Sequence, residues 1–156
     1  TRLLTRAGSL VVEPWCDRLL DVGVCATVAL DGTVTAHPPH GLLVDGRGTF
    51  LGIDLAPPAL EPAERELLDG LVTAAGARIA EVGYCGRFAI DAFAYRTHAG
   101  RRFHPLCEIN ARYSFGWIAR GFAARTGATR LGFGAPPAGA TELITPAADG
   151  VRAWLA

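Results

Sequence analysis

The sequence predicts an α+β fold, in which helices pack on one face of an antiparallel β-sheet. Runs of small and branched residues are separated by tight-turn signals such as Asp31-Gly32, a pattern typical of antiparallel hairpins. One stretch, from Leu67 to Val82, repeats apolar residues at three- and four-residue steps, which is typical of a helix with one apolar face. A chain of 156 residues suffices for one hydrophobic core, so we expect one globular unit.

The first third of the chain favours strands. The apolar run that begins at Ser9 meets Pro14, which lacks an amide hydrogen and restricts the preceding residue to extended geometry, so a strand is expected to end there. Asp31-Gly32 predicts a tight hairpin turn, and Gly46-Arg47-Gly48 predicts a looser connection. The expected strands are Ser9 to Glu13, Val22 to Leu30, Thr33 to Ala36, Leu42 to Val44 and Thr49 to Leu55.

A long helix and a second hairpin follow. Pro62 suits the first turn of a helix, nearby glutamates suit its positive end, and Gly83 supplies a C-terminal stop. After the second hairpin, Ser114 or Gly116 leads into an apolar helix. The remaining expected elements are strands at Phe88 to Arg96 and Phe103 to Asn110, a helix through Ala124, and a peripheral strand and helix in the tail, the latter near Val151 to Leu155.

The segment CEINARYSFG, residues 107–116, places Glu108, Asn110 and Arg112 on every second residue, and therefore on one face of a strand. If the preceding loop is centred between Ala99 and Gly100, antiparallel pairing sets Asp91 directly across from Glu108. Two facing carboxylates are destabilising unless a raised pKa, a cation or exposure to water relieves them.

A divalent cation relieves this repulsion most simply. Asp91, Glu108 and Asn110 offer hard oxygen donors, with no imidazole or thiolate in step, which favours magnesium or manganese. Such partial cages leave other coordination positions to water and to the phosphates of a nucleotide. Arg112 follows on the same face, where its planar fork is suited to a phosphate or a carboxylate.

The pattern Glu108-x-Asn110-x-Arg112, after a strand that carries Asp91 in Gly86-Arg87-Phe88-Ala89-Ile90-Asp91, resembles the C-terminal half of ATP-grasp carboxylate ligases. Val11-Val12-Glu13-Pro14-Trp15-Cys16 resembles the linker in which the adenine of that family lies. The resemblance covers roughly Leu10 to Ala124 and keeps the order of elements of that family.

The resemblance implies ATP and Mg²⁺ (or Mn²⁺) as cofactors, and a reaction in which ATP activates a carboxylate as an acyl phosphate that an amine or other nucleophile then attacks. The partners are then a small-molecule carboxylate and a nucleophile. The residue roles that it implies are metal binding by Asp91, Glu108 and Asn110, nucleotide binding by Glu13, the Cys16 backbone, Asp21 (at the ribose) and Asn110, and catalysis by Arg112.

The sequence also departs from this pattern. All 15 basic residues are arginines, whereas family members carry upstream lysines that grip the phosphates, a glycine-rich flap and a preceding domain. We therefore expect residues 1–156 to be the C-terminal part of an ATP-grasp domain that is inactive alone, within a parent ligase. Either an upstream half or a partner in a homo-oligomer would complete the cleft. The alternative is a non-catalytic nucleotide-binding or oligomerisation module, which the absence of lysine favours.

Composition excludes other classes of protein. The formal net charge is zero, which disfavours nucleic acid as a partner. No apolar stretch reaches the roughly 20 residues that cross a bilayer, and no signal peptide opens the sequence, so we expect no membrane partner. Four separated cysteines without a CxxC favour reduced thiols and a cytoplasmic location. His37 and His40 lack nearby thiolates or a third ligand, which argues against a zinc site.

Overall fold

A computed structural model describes residues 8–9, 12–144, 150 and 152–156. Two helices are present in these residues, α1 (Pro62–Glu81) and α2 (Phe115–Thr126). The strands are β1 (Asp17–Val28), β2 (Val34–Ala36), β3 (His40–Val44), β4 (Phe50–Asp54), β5 (Gly86–Thr97), β6 (Gly100–Asn110), β7 (Arg130–Phe133), β8 (Thr141–Ile144) and β9 (Ala153–Leu155).

The described strands form one sheet. Its order is β6-β5-β1-β3-β4-β7-β9-β8, and β2 pairs with the far end of β1. Each of these pairings is antiparallel. The predicted α+β class with an antiparallel sheet is confirmed, and the hairpins at Asp31-Gly32 and Gly46-Arg47-Gly48 are both present.

The positions of the helices differ from the prediction. The two helices pack on opposite faces of the sheet, whereas both were expected on one face. Val22 and Val24 of β1 point to one face, where they form a buried cluster with Leu68 and Val72 of α1. Cys25 points to the other face, where its sulfur lies 4.0 Å from the hydroxyl of Ser114, the N-cap of α2. Successive strand residues point to opposite faces, so β1 supplies a floor to both helices.

The chain differs from the sequence prediction at both ends. Val12 and Glu13 lie outside any strand, and Leu10 and Val11 lie outside the described residues. Near the C-terminus, Ala153–Leu155 form a strand where a helix was expected, while Val151 lies outside the described residues. This last strand pairs with both β7 and β8, so backbone pairing with distant strands overrides the local helical propensity.

A partly buried ion pair fastens the β5–β6 hairpin to α1. Arg101 of β6 donates from Nε to Oε1 of Glu64 at 2.8 Å and from Nη2 to Oε2 at 2.7 Å. Glu64 also accepts a hydrogen bond from the backbone N–H of Glu61, the N-cap of α1. The hydrogen bonds from Arg101 hold the pKa of Glu64 below its usual range. The paired fork is geometrically specific, so it helps to fix the hairpin that carries Asp91 and Glu108.

Two glycines make room for a buried histidine between the sheet and α2. A Cβ at Gly23 of β1 would lie 2.7 Å from Nε2 of His40, and a Cβ at Gly116 of α2 would lie 2.6 Å from the same atom. His40 itself is only 2% exposed. The imidazole therefore sets how closely the first turn of α2 approaches β1.

No helix in the described part of the chain combines the length and the apolar character needed to cross a bilayer.

We predict that Gly116→Ala lowers the free energy of unfolding by about 1–3 kcal/mol, because its methyl group would overlap the His40 ring and the Cys25 sulfur. Gly121→Ala, in the same helix, is the matched control, because a Cβ there meets no atom within 4 Å. This control should raise the stability by roughly 0.5–1 kcal/mol through helix propensity. Denaturant unfolding of the two variants measures both effects, and equal changes would contradict the packing argument.

Candidate functional site

The acidic residues predicted from the sequence lie together on one face of the β5–β6 hairpin. Asp91 and Glu108 are Cα partners in the sheet. Asn110 lies two residues beyond Glu108 on that face, and its Nδ2 lies 3.4 Å from Oδ2 of Asp91. The hairpin thus presents two carboxylates and a carboxamide to one point.

An irregularity in β6 produces this pairing. Thr97 pairs with Gly100, so the turn is centred between His98 and Ala99, one residue earlier than expected. The register shifts between Asp91 and Phe93, where β6 contains two extra residues. Without this shift, Asp91 would face Leu106. Pro105 lies in the irregular stretch, where its lack of an N–H costs no ladder hydrogen bond.

The acidic residues line a cavity of about 280 Å³, which we call the acid cavity. The sheet forms its floor, and the first turn of α2 forms one wall. Its lining residues are His40, Leu42, Phe50, Ile53, Ala89, Asp91, Glu108, Asn110, Arg112, Ser114, Phe115 and Gly116.

Charge repulsion is built into the acid cavity. Burial and the neighbouring charge of Glu108 raise the pKa of Asp91 to about 6, with a further contribution from Asp21 and an opposing one from Arg112. Asn110 is buried, whereas Glu108 is exposed at the cavity mouth. At neutral pH the folded protein therefore holds an unfavourable charge on Asp91 that a nearby cation would stabilise.

The donor set fits a hard divalent cation. Asp91 and Glu108 supply carboxylate oxygens, and Asn110 supplies an amide oxygen if its amide turns toward the ion. No group of three or more His, Cys, Asp or Glu side chains is arranged to hold a metal within the described ranges. A cation held by these three residues would therefore keep open positions for water or for anionic ligands.

The N-terminus of α2 opens onto the same cavity. The backbone carbonyl of Ser114 accepts hydrogen bonds from Trp117 and Ile118, which leaves the N–H groups of Phe115 and Gly116 at the positive end of the helix. Both residues line the acid cavity. Because helix N-termini favour anions, this wall suits phosphate oxygens beside a cation.

A second cavity of about 790 Å³, the large cavity, lies beside the acid cavity, and Leu42 lines both. Trp15, Cys16 and Asp21 line it, together with Trp154. Asp21 is 6% exposed, lies on the same face of the sheet as Asp91, and is paired with the guanidinium of Arg18. The structure thus brings two of the three residues expected only at the nucleotide to one cavity.

Glu13 does not join them. It is exposed, and it lines neither this cavity nor the acid cavity.

Arg112 lies on the opposite side of the acid cavity, where it is exposed and its Nη1 donates to the backbone oxygen of Tyr113 at 3.2 Å. Arg112 also lines a third, open cavity of about 590 Å³, which we call the arginine cavity. Three cavities therefore follow one another along one face of the sheet.

Several residues at the site were not identified from the sequence. His40 lies buried against the acid cavity, and burial followed by the charge of Arg120 lowers its pKa to about 3, so it is neutral. Arg18 covers Asp21 and lies 4.1 Å from the centre of the Phe93 ring. Arg87 lies in the arginine cavity. Apart from Asp21, which lies three residues after Arg18, their neighbours come from distant parts of the chain, so local spacing gave little signal.

The antiparallel topology, with a hairpin of facing acids and a helix N-terminus beside it, defines the class at the level of the fold: it is an α+β fold that also occurs in ATP-grasp enzymes. The same fold occurs in the ATP-grasp enzyme N5-carboxyaminoimidazole ribonucleotide synthetase from Thermus thermophilus. The two are 15% identical, with a TM-score of 0.55 over 92% of this chain and 47% of that chain.

Two structures of the corresponding synthase from Aspergillus clavatus each match 64% of this chain. One, with ADP and 5-aminoimidazole ribonucleotide, gives 17% identity and a TM-score of 0.45, and the other, with ATP, gives 15% and 0.44. This chain covers 24% of the Aspergillus structures and 47% of the Thermus structure, so it spans less than half of each. Neither protein-family models nor curated proteins gave a match.

We predict that Asp91→Asn stabilises the metal-free protein near neutral pH. Because its pKa is raised, Asp91 binds its proton more tightly in the folded state than in the unfolded state. The stability that comes from this difference is present at acidic pH and is lost as the pH rises through about 6. Removing the charge should raise the free energy of unfolding by about 2–3 kcal/mol at pH 7.5, and the gain should vanish near pH 4. Urea unfolding in EDTA at both pH values checks this, and a gain independent of pH would contradict it.

Proposed function

We propose that this chain is the nucleotide- and magnesium-binding portion of an ATP-dependent carboxylate–amine, or similar, ligase. The observation that carries the proposal is the meeting of Asp91, Glu108 and Asn110 at one cavity, with Arg112 on its rim and a helix N-terminus as its wall. This combination provides ligands for a hard cation and donors for an anion a few ångströms apart, which a metal-bound triphosphate requires.

The large cavity suits the nucleoside part of ATP. It adjoins the acid cavity at Leu42, so a ligand that fills both extends from the start of β1 to the facing acids. The exposed Trp15 offers an aromatic surface to a base, and the backbone at Cys16 offers polar groups to its edge. For Asp21 to bind the ribose hydroxyls, its carboxylate would have to share or release Arg18.

In the proposed reaction, a substrate carboxylate oxygen attacks the γ-phosphorus of ATP. A new P–O bond forms to the carboxylate, the bond from the γ-phosphorus to its bridging oxygen breaks, and ADP leaves with the electron pair. The resulting acyl phosphate is then attacked by an amine or another nucleophile, and phosphate leaves. Such catalysis is mainly positioning and charge stabilisation, so no covalent protein nucleophile is needed.

Each residue then has a defined task. Asp91, Glu108 and Asn110 hold the magnesium ion, which when bound offsets negative charge on the phosphoryl oxygens. The amide groups at the start of α2 orient the phosphates. Arg112 steadies the transferring phosphoryl group or the incoming carboxylate, because it lines both the acid cavity and the arginine cavity. His40 remains neutral and positions α2.

The second candidate function is a non-catalytic nucleotide-binding or oligomerisation module, and the lysine-free composition favours it. A nucleotide-binding module would not need Asp91 and Glu108 for its affinity. An oligomerisation module would not bind nucleotide and would associate as its concentration rises. The two candidates and the ligase therefore differ in measurable ways.

We predict that calorimetric titration of the chain with ATP and MgCl₂ gives binding heat that is lost in EDTA. The double variant Asp91→Asn with Glu108→Gln should weaken the affinity at least tenfold, since it removes both charged ligands of the cation. The matched control is Glu66→Gln with Asp69→Asn, which makes the same change in net charge on the exposed surface of α1.

Unfolding cannot explain a loss of affinity in the double variant, because relief of the repulsion at Asp91 should stabilise the fold. Affinity unchanged in the double variant would favour the nucleotide-binding module. No binding heat from the folded chain would overturn the proposal, and association in sedimentation analysis would then favour the oligomerisation module.

A further inference from the structure

The arginine cavity is a second polar site next to the acid cavity. Its walls include His37 from the loop before β3, Arg87 from the start of β5, and Arg112, Tyr113 and Trp117 around the start of α2. Arg112 is common to both cavities. The roles proposed above for the acids, the nucleotide and the phosphates leave Arg87 and its aromatic neighbours without a function.

This cavity is positively charged. Its lining includes two arginines and no carboxylate. Among the residues that the structure describes, neither Arg87 nor Arg112 forms an ion pair, in contrast to the fork of Arg101 on Glu64. Partial burial, and then the charges of Arg120 and Arg87, lower the pKa of His37. The cavity therefore favours an anion.

The aromatic side chains orient Arg87. Its guanidinium carbon lies 4.5 Å from the ring centre of Tyr113 and 4.9 Å from that of Trp117. One nitrogen, Nη1, donates to the Tyr113 hydroxyl. A guanidinium has five N–H donors, so a stacked and anchored fork keeps an edge for a second acceptor.

The remaining walls are flat and largely apolar. His37 meets the Trp117 ring edge-on, with ring centres 4.9 Å apart, and Tyr113 lies 6.3 Å from Trp117. Aromatic faces and edges of this kind favour a flat unsaturated body more than a compact, fully hydrated ion. The combination of a planar cationic fork with aromatic walls therefore matches a carboxylate attached to a planar group.

The position of this cavity connects it to the proposed reaction. Arg87 and Asp91 point to the same face of β5, four residues or about 13 Å apart along the strand. Arg112 lies between the two cavities. A carboxylate held between Arg87 and Arg112 therefore faces the acid cavity, where the γ-phosphate of a bound nucleotide would lie.

We propose that the arginine cavity binds the acid substrate, and that this substrate is a small carboxylate with an aromatic or otherwise flat body. The substrate role rests on the ligase function proposed above. Arg87 fixes the carboxylate, Arg112 directs it toward the acid cavity, and His37, Tyr113 and Trp117 contact the flat body.

Benzoate tests this inference on the 156-residue chain. An NMR titration that follows the indole N–H signals should give a dissociation constant on the order of 1–10 mM, as expected for a fragment of this size. Arg87→Gln should weaken binding at least tenfold, because a charge-assisted hydrogen bond to the carboxylate is lost. Arg125→Gln is the matched control, because Arg125 is an exposed residue at the C-terminal end of α2, and it should leave binding unchanged.

Comparison probes separate the contributions of charge and shape. Benzamide, which is neutral, and cyclohexanecarboxylate, which is not flat, should both bind more weakly than benzoate. Inorganic phosphate should not displace benzoate at equal concentration. Displacement by phosphate, or equal binding of benzamide, would overturn the proposal and indicate a simple anion site or a nonspecific apolar site.

The acid-cavity double variant separates the two proposals. Asp91→Asn with Glu108→Gln should bind benzoate within a factor of about two of the unmodified chain, because the arginine cavity is intact. Binding of MgATP without benzoate would overturn this inference and leave the ligase function supported. Binding of benzoate without MgATP would overturn the ligase function and the substrate role, while supporting the carboxylate site itself.

Discussion

The repulsion between Asp91 and Glu108 is the constraint on which the rest of this structure depends. Two carboxylates are Cα partners on neighbouring strands, and one of them is partly buried with a pKa near 6. A fold gains nothing from this arrangement by itself, since like charges directly opposite each other are destabilising. A strand irregularity nevertheless restores this pairing, which points to a ligand that reverses the sign of the interaction, and a hard cation does so.

The surrounding packing holds that unfavourable pair in place. Arg101 clamps the acidic hairpin to α1 through Glu64, on the face opposite the acid cavity. On the cavity face, the His40 ring fills the space left by Gly23 and Gly116, which brings the start of α2 to the acids. Rigid elements on both faces of the sheet thus fix the hairpin, as preorganised binding sites require.

The three cavities also differ in chemical character. The large cavity is aromatic and apolar on much of its surface, the acid cavity is negative, and the arginine cavity is positive and aromatic. Leu42 joins the first pair and Arg112 joins the second. Because all three open on one face of the sheet, the sites proposed for the base, the triphosphate and the substrate carboxylate follow in the order that phosphoryl transfer to a carboxylate needs. This order of sites favours the proposed ligase function over a module without catalytic function.

The sequence by itself determined the α+β class, most strand and helix positions, and the face of the sheet that Asp91, Glu108 and Asn110 share. Hairpin periodicity is a local signal that specifies this face through the alternation of side chains, whereas the pairing of Asp91 with Glu108 also needed the irregularity in β6, because the turn lies one residue earlier than predicted. Only the tertiary structure decided the compensating irregularity near Pro105, the placement of the helices on opposite faces, the buried neutral His40, and the contact of Arg18 with the Phe93 ring. It also brought Arg87 to Trp117, 30 residues along the chain. These features depend on contacts between distant segments and on the space that glycines leave, and no spacing rule along one strand or helix contains that information.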